Sequence, residues 1–204
     1  MTQFIPVLTI LFVFIVTGNS LMCRECVTTS KGFCRGKLHE CPPRSKSCIK
    51  AHGLIIIGND VYKSFLRACN DDDHLCDRDF VMNSGHGNKQ ARIVTECCVS
   101  DDCNKCKAKI PPYNSTLNGL ICPVCYSCNS YDCVYDGYIE CRGNELECID
   151  FAATLHKEGS PNFKFSIMGC ITQGGCSLGP KIIPGTKIVD AKRLSCRSAV
   201  PITH

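Results

Sequence analysis

The chain has 204 residues with a formal net charge of +4 at pH 7, and 20 of the residues are cysteine. This small, dispersed basic excess excludes the broad positive surface that is typical of nucleic-acid-binding proteins. A cysteine content this high in a short chain is typical of secreted proteins whose small cores are supplemented by disulfides.

The N-terminus supplies the first predicted element. An apolar run from Phe4 to Val16 precedes Gly18 and Ser20, the small residues that a signal peptidase would recognise. The run is shorter than the about 20 apolar residues that a membrane span needs. We therefore predict a signal peptide at residues 1–20, although its usual basic start is missing, and a secreted protein with no membrane anchor.

The cysteine spacing divides the rest of the chain into two modules. From Cys23 to Cys97 the steps are 3, 8, 7, 7, 21, 7 and 21 residues, and from Cys122 to Cys196 they are 3, 8, 8, 7, 22, 6 and 20. Two such series indicate a duplicated, disulfide-rich unit. We place the first module at residues 21–106 and the second module at residues 121–204.

A linker is predicted between the modules, at residues 107–120. It contains Pro111, Pro112 and Gly119, which are typical of irregular backbone. Asn114 begins an Asn-Ser-Thr sequon, so we expect exposed backbone there and glycosylation at Asn114.

Within each module, the long intervals between cysteines predict β-hairpins. Apolar runs flank the turn residues Gly58 to Asp60 and Ser84 to Asn88 in the first module. In the second module, turns are predicted at Glu158 to Pro161 and at Pro184 and Gly185. The fold class is therefore expected to be all-β.

One strand is unusually apolar, and its residues are the candidate partner contacts Leu54, Ile55, Ile56 and Ile57. Because side chains alternate along a strand, about half of this run should face away from the core of its own module. The other module or a protein partner would then cover it.

The end of the first module carries a family resemblance. Cys97-Cys98, followed by Cys103-Asn104, resembles the terminal signature of the urokinase-receptor-like three-finger family, and the Cys23-x-x-Cys26 opening also fits. The resemblance implies two three-finger domains in tandem. In the first module it implies the bonds Cys23–Cys48, Cys26–Cys34, Cys41–Cys69, Cys76–Cys97 and Cys98–Cys103.

The second module departs from that pattern, because no terminal Cys-Cys and Cys-Asn elements follow Cys196. A secreted two-module chain of this kind is similar to the gamma-type phospholipase A2 inhibitors and, close behind, to the sodefrin precursor-like pheromone proteins. The same family pairing implies the bonds Cys122–Cys148, Cys125–Cys133, Cys141–Cys170 and Cys176–Cys196.

Two cysteines remain outside these pairs, Cys106 and Cys128. Because the total number of cysteines is even and one unassigned cysteine lies near each module, we expect an interdomain disulfide between these two. A rearranged bond of Cys128 with Cys125 or Cys133, or a bridge between two molecules, would also use these thiols.

Other chemistry is less well supported. Cys103-x-x-Cys106 and Cys122-x-x-Cys125 imitate the spacing of a zinc ribbon, but three of these cysteines already have places in the repeat. The acidic run Asp71 to Asp73 lacks the spacing of a calcium-binding EF-hand loop and is expected to be a solvated loop or an acidic contact. A small disulfide module also offers little room for a closed pocket, so we expect no enzyme activity, no metal and no cofactor.

The predicted function is binding. The resemblance implies a secreted inhibitor that engages a secreted phospholipase A2 by surface complementarity, with homo-oligomers possible in such inhibitors. The alternative is a secreted pheromone or signalling protein that acts on a receptor, whole or after cleavage at Lys192-Arg193.

Overall fold

A computed structural model describes residues 20–28, 34–84, 89–157, 159–178 and 186–202. The predicted signal peptide lies outside these ranges apart from Ser20. So do the predicted turn residues 85–88, Glu158, Pro184 and Gly185.

The described chain is all-β, which confirms the predicted fold class. Its first six strands are β1 (Met22–Thr28), β2 (Lys37–Glu40), β3 (Ser47–Ile57), β4 (Asp60–Asn70), β5 (Asp79–Asn83) and β6 (Lys89–Cys98). The later strands are β7 (Leu117–Pro123), β8 (Cys125–Ser127), β9 (Tyr138–Arg142), β10 (Glu147–Lys157), β11 (Phe163–Ile171), β12 (Thr186–Ser198) and β13 (Val200–Pro201). Short helical turns lie at Asp73–Leu75, Cys103–Lys105 and α1 (Gly175–Leu178).

The two modules repeat one pairing scheme, as their cysteine spacing predicts. In the first module, β1 pairs with β2 through its first half and with β4 through its second half. In the second module two short strands share these roles, since β7 pairs with β9 and β8 pairs with β11. The central hairpins also correspond, because Cys48 lies opposite Cys69 and Cys148 lies opposite Cys170.

Ten of the described strands form one sheet that passes through both modules. Its order is β12-β10-β11-β5-β6-β3-β4-β1-β2, with β8 also paired to β11. The modules meet where β5 of the first lies beside β11 of the second. The remaining described strands form a small sheet in the order β13-β7-β9.

Disulfides close the base of each module. The bonds are Cys23–Cys48, Cys26–Cys34, Cys41–Cys69, Cys76–Cys97, Cys98–Cys103, Cys122–Cys148, Cys125–Cys133, Cys141–Cys170 and Cys176–Cys196. These are the nine pairs that the family resemblance implies. Their buried sulfur atoms take the place of a larger apolar core at the base.

The helical turns of the described residues are short. None of them is a helix of the length and apolarity needed to cross a membrane.

Candidate functional site: an apolar groove between the modules

One face of the ten-stranded sheet is apolar in both modules. Residues that pair in register lie on the same face of a sheet. Ile55 pairs with Tyr62 and with Ala91, and Ala91 pairs with Met82. Met82 in turn pairs with Ile171 of β11, so the apolar face continues from the first module into the second.

In the second module, large aromatic and aliphatic side chains form this face. Phe151 pairs with Ile167 of β11 and with Leu194 of β12. Ile167 also pairs with Tyr126 of β8. The Tyr126 ring meets the Phe165 ring edge to face, with 5.7 Å between ring centres, which is a favourable arrangement of two aromatic rings.

These side chains border a groove with a volume of about 390 Å³. Small-molecule sites in proteins span about 300 to 1,000 Å³, so the groove lies within that range. Its described lining residues include lysines and no Asp or Glu. The walls of the groove are therefore mainly apolar, and the charged residues among its described lining are all positive.

The junction between the modules holds the two walls of the groove together. Thr172 donates its backbone N–H to the Val81 carbonyl at 2.9 Å, and the Val81 N–H donates to the Thr172 hydroxyl at 2.9 Å. The buried Ser84 hydroxyl donates to the Met168 carbonyl at 2.7 Å. Satisfied buried hydrogen bonds of this kind fix the relative position of two elements.

Gly169 is required at this junction for steric reasons. A Cβ built on Gly169 would lie 2.0 Å from the carbonyl oxygen of Asn83 and 3.0 Å from Cα of Ser84. Only a glycine allows β11 to approach the end of β5 this closely.

Glu145 is a buried residue of the second module that connects three parts of the chain. Only 1% of its surface is exposed. Its carboxylate accepts hydrogen bonds from the Asn83 amide, from the Tyr113 hydroxyl at 3.4 Å and from the Arg142 backbone N–H at 2.9 Å. Burial raises the pKa of Glu145 to about 7, because loss of water disfavours the charged carboxylate. Sequence reasoning missed this residue, since nothing in its neighbourhood distinguishes it from a surface glutamate.

The segment predicted as a linker is bound to both modules. The Lys109 N–H donates to the Glu96 carboxylate at 3.0 Å, and Arg142 donates to the Ser115 carbonyl at 2.9 Å. Strand β7 begins at Leu117, so the last residues of the predicted linker belong to a strand. The orientation of the modules is thus fixed by many contacts along the segment.

A protein-family model matches both cysteine repeats. The model of the u-PAR/Ly-6 domain matches residues 19–106 and residues 118–199, one match for each module. Together the matches cover more than half of the chain. The chain belongs to the u-PAR/Ly-6 domain family.

Two similar proteins have nearly the length of this chain. The chain is 27% identical over 195 residues to the phospholipase A2 inhibitor PIP of Malayopython reticulatus, covering 94% of this chain and 93% of that protein. It is 26% identical over 163 residues to a gamma-type phospholipase A2 inhibitor of Gloydius brevicaudus siniticus, covering 80% of each. The predicted resemblance to gamma-type inhibitors is confirmed.

Among solved structures, the crystal structure of mouse TEX101 is similar at 19% identity. The alignment has a TM-score of 0.41 and covers 87% of this chain and 99% of that one.

The predicted partner contacts of the first u-PAR/Ly-6 domain lie beside the groove. Ile55, Ile56 and Ile57 are among its lining residues, whereas Leu54 is not. Ile57 is 39% exposed, and the others are half-buried. This run is therefore covered only in part.

The predicted bond between Cys106 and Cys128 is not formed. Both cysteines are free and exposed in the structure, and the Cys128 thiol instead donates a hydrogen bond to the Tyr126 hydroxyl at 2.8 Å. The expectation failed because it rested on the even number of cysteines and on one unassigned cysteine near each module, and a count does not place two thiols side by side. The junction of β5 with β11 joins the modules without this bond.

The remaining candidate residues do not line the groove. Cys103, Cys122 and Cys125 are each in a disulfide and so do not offer zinc a thiolate. In the acidic run, Asp71 pairs with Arg44 at 3.1 Å and Asp73 pairs with Lys46 at 2.7 Å. Asn114 is exposed, and its glycosylation stays a prediction.

Proposed function

We propose that this protein is a secreted, non-catalytic inhibitor that binds a secreted phospholipase A2 and obstructs its access to substrate or membrane. The observation that carries the proposal is the match, over nearly the whole length of both chains, to a protein named as a phospholipase A2 inhibitor. A second full-size relative has the same kind of name.

The tip of the β3–β4 hairpin supports a surface mode of binding. Ile57 is 39% exposed, Val61 is 56% exposed and Tyr62 is 48% exposed, and all three lie on the strands next to one tight turn. Exposed apolar and aromatic side chains that cluster in this way are typical of protein interaction sites. A phospholipase must itself present apolar side chains to lipid, and the hairpin tip is complementary to such a surface.

The pheromone alternative has less support, because both relatives described above are named as inhibitors. Its processing point is also poorly placed. Arg193 pairs with Ala152 in the edge strand β12 and forms an ion pair with Asp150 at 2.7 Å. A processing protease would need to extract this strand before it could cleave the chain.

The proposal is tested by titrating the mature protein, with native disulfides confirmed, into a panel of secreted phospholipases A2. Direct binding to the immobilised enzyme and inhibition of hydrolysis are both recorded. We expect saturable binding and inhibition for at least one member. The changes Ile57→Lys and Val61→Lys should each weaken binding roughly tenfold, because buried apolar contacts at an interface centre dominate affinity.

Val99→Lys is the matched control, because Val99 is 78% exposed but lies near the disulfide base. It should bind as the parent protein does. No binding to any enzyme at micromolar concentration would refute the proposed function.

Sedimentation of the free protein in the same buffer tests the predicted homo-oligomer, in which the hairpin tip would be the contact.

A further inference from the structure

The apolar groove is open to solvent in both modules. Tyr62 of the first module is 48% exposed and Leu194 of the second module is 39% exposed, although both line the groove. The opposite face of the first module is covered by the segment that connects the modules. Arg92 follows the groove residue Ala91 in β6 and so lies on that opposite face, where it donates a hydrogen bond to the Pro111 carbonyl. The chain therefore covers one face of this module and leaves the groove face accessible to a partner.

The charged residues of the described groove lining are three lysines, Lys63, Lys89 and Lys157. Lys63 and Lys157 are exposed, and neither forms an ion pair with another residue that the structure describes. The Lys89 ammonium group lies 5.0 Å from the centre of the Tyr126 ring, so it reaches from the first module to a wall residue of the second. The groove thus offers positive charge that its own described walls do not neutralise.

The strand register separates these lysines along the groove. Pairing across β6, β5, β11 and β10 puts Lys89 level with Ile149 of β10. Lys157 lies further along β10, and at about 3.3 Å per residue it is about 26 Å from Lys89 along the strand direction. The register of β3 with β4 and β6 places Lys63 on the other side of Lys89. Positive charge is therefore spread over the length of the groove.

This charge distribution selects an elongated partner with several anionic groups. One lipid head group cannot contact two lysines that are about 26 Å apart, whereas about eight residues of extended polypeptide span that distance. Because alternate residues of an extended segment face opposite sides, such a segment can direct apolar side chains to the groove and carboxylates to the lysines. A polypeptide with alternating apolar and acidic residues therefore matches both the walls and the charges.

A second copy of the chain matches the groove less well. In a symmetric dimer, the same surface of each copy contributes to the interface. Two grooves that faced each other would bring the lysines of one copy against the lysines of the other, and like charges across an interface oppose association. The charge of the groove thus favours a different protein as its occupant.

We propose that the groove binds an extended, acidic and apolar segment of the phospholipase A2 that the protein inhibits. This inference rests on the proposed function, because Ile57 and Tyr62 belong both to the exposed hairpin tip and to the groove lining, so that the two form one continuous surface. The apolar side chains of the segment pack against the aromatic and aliphatic walls, and its carboxylates pair with Lys89 and Lys157. The protein then binds phospholipases with such a segment more tightly than those without one.

Zero-length cross-linking tests these contacts directly. The mature protein is mixed with the phospholipase of the panel that binds it most tightly, and a carbodiimide joins lysine amines to carboxylates in contact with them. Peptide mapping should find amide bonds from Lys89 and Lys157 to carboxylates that lie within about ten residues of one another in the enzyme. Lys164 should form none, because it alternates with the groove residues Phe163 and Phe165 and so lies on the opposite face.

Removal of single charges measures what the lysines contribute. Lys89→Met and Lys157→Met should each weaken enzyme binding roughly fivefold, the order expected of a partly exposed ion pair. The double variant should bind roughly twenty-five-fold more weakly, because contributions from residues this far apart add. Lys164→Met is the matched control, since it removes the same charge from the opposite face, and it should bind as the parent protein does. An unchanged melting temperature shows that each variant is folded.

Three outcomes would overturn this inference and leave the proposed function intact. These are enzyme binding without a cross-link from Lys89 or Lys157, cross-links from these lysines to a second copy of the chain, and a double variant that binds as well as Lys164→Met does. If Val61→Lys weakens binding while the double variant does not, the enzyme contact lies at the hairpin tip alone. Absence of binding to every enzyme of the panel would refute the proposed function and this inference with it.

Discussion

Glu145 shows how one buried carboxyl group ties the two modules together. It accepts a hydrogen bond from Asn83 of the first module while lying in the second, and Tyr113 of the connecting segment completes the set. The neighbouring Tyr113 hydroxyl also has a raised pKa, first because it is buried and then because the Glu145 charge is close. Both groups are therefore stabilised in their protonated forms.

This arrangement predicts a pH-dependent stability. The pKa of Glu145 is about 7 in the folded state and about 4.3 in an unfolded chain. Since the folded state binds the proton more tightly, its contribution is full below about pH 4 and is lost as the pH rises to about 7. The loss amounts to about 4 kcal/mol, at 1.36 kcal/mol for each pKa unit.

Calorimetric unfolding between pH 4 and pH 8 checks this prediction. Glu145→Gln cannot ionise, so its melting temperature should lack the fall that the parent protein shows over this range. Glu140→Gln, which changes an exposed glutamate of β9, should keep that fall. An unaltered pH profile in Glu145→Gln would show that another group is responsible.

At the scale of single residues, the sequence predicted those residues whose role depends only on their neighbours along the chain. The turn at Gly58 to Asp60 could be predicted because glycine and asparagine favour that backbone, and the structure places Gly58 at φ +62°. Glu145 and Gly169 could not be predicted. Their roles depend on Asn83, which lies in the other module and is distant in sequence.

At the element scale, β5 is the strand that makes the two modules one sheet. It is only five residues long, and β6 and β11 occupy its two edges. The hairpin pattern predicted this strand and its partner β6. No periodicity predicted the pairing with β11, because each module was interpreted as a separate unit. The groove was missed for the same reason.

The close approach of β11 to β5 gives a prediction for Gly169. Gly169→Ala would place a methyl group against the Asn83 carbonyl and should destabilise the fold by about 1 to 3 kcal/mol through overpacking. Hydrogen exchange should accelerate at the amides of Val81 and Thr172, whose bonds cross the junction.

The control for this change is Met168→Leu, which nearly conserves volume at the adjacent position of β11 and should cost little. Unchanged exchange at Val81 and Thr172 in Gly169→Ala would mean that the junction is not held by this contact.

At the scale of the whole molecule, the family and the duplicated architecture could be predicted from cysteine spacing. The relative placement of the modules could not, and the predicted clamp of Cys106 with Cys128 was wrong. Spacing reports which residues belong to one repeat, whereas the junction depends on shape and on hydrogen bonds between repeats.

The free thiols provide a prediction at this scale. Replacing both Cys106 and Cys128 with Ser should leave secretion and melting temperature unchanged, since exposed substitutions usually alter stability by less than about 0.5 kcal/mol. Alkylation before proteolysis should label both thiols in the parent protein. A mapped peptide pair that joins Cys106 to Cys128, or a clear loss of stability in the double variant, would restore the clamp.

The shared sheet also determines whether one module can be produced without the other. Removing the first module would strip β11 of its partner β5 and expose unpaired backbone groups together with one wall of apolar side chains. Open strand edges beside apolar surface promote aggregation. We therefore expect the second module to aggregate when it is expressed alone, so that the repeated module is a unit of sequence whereas the tandem is the unit that folds.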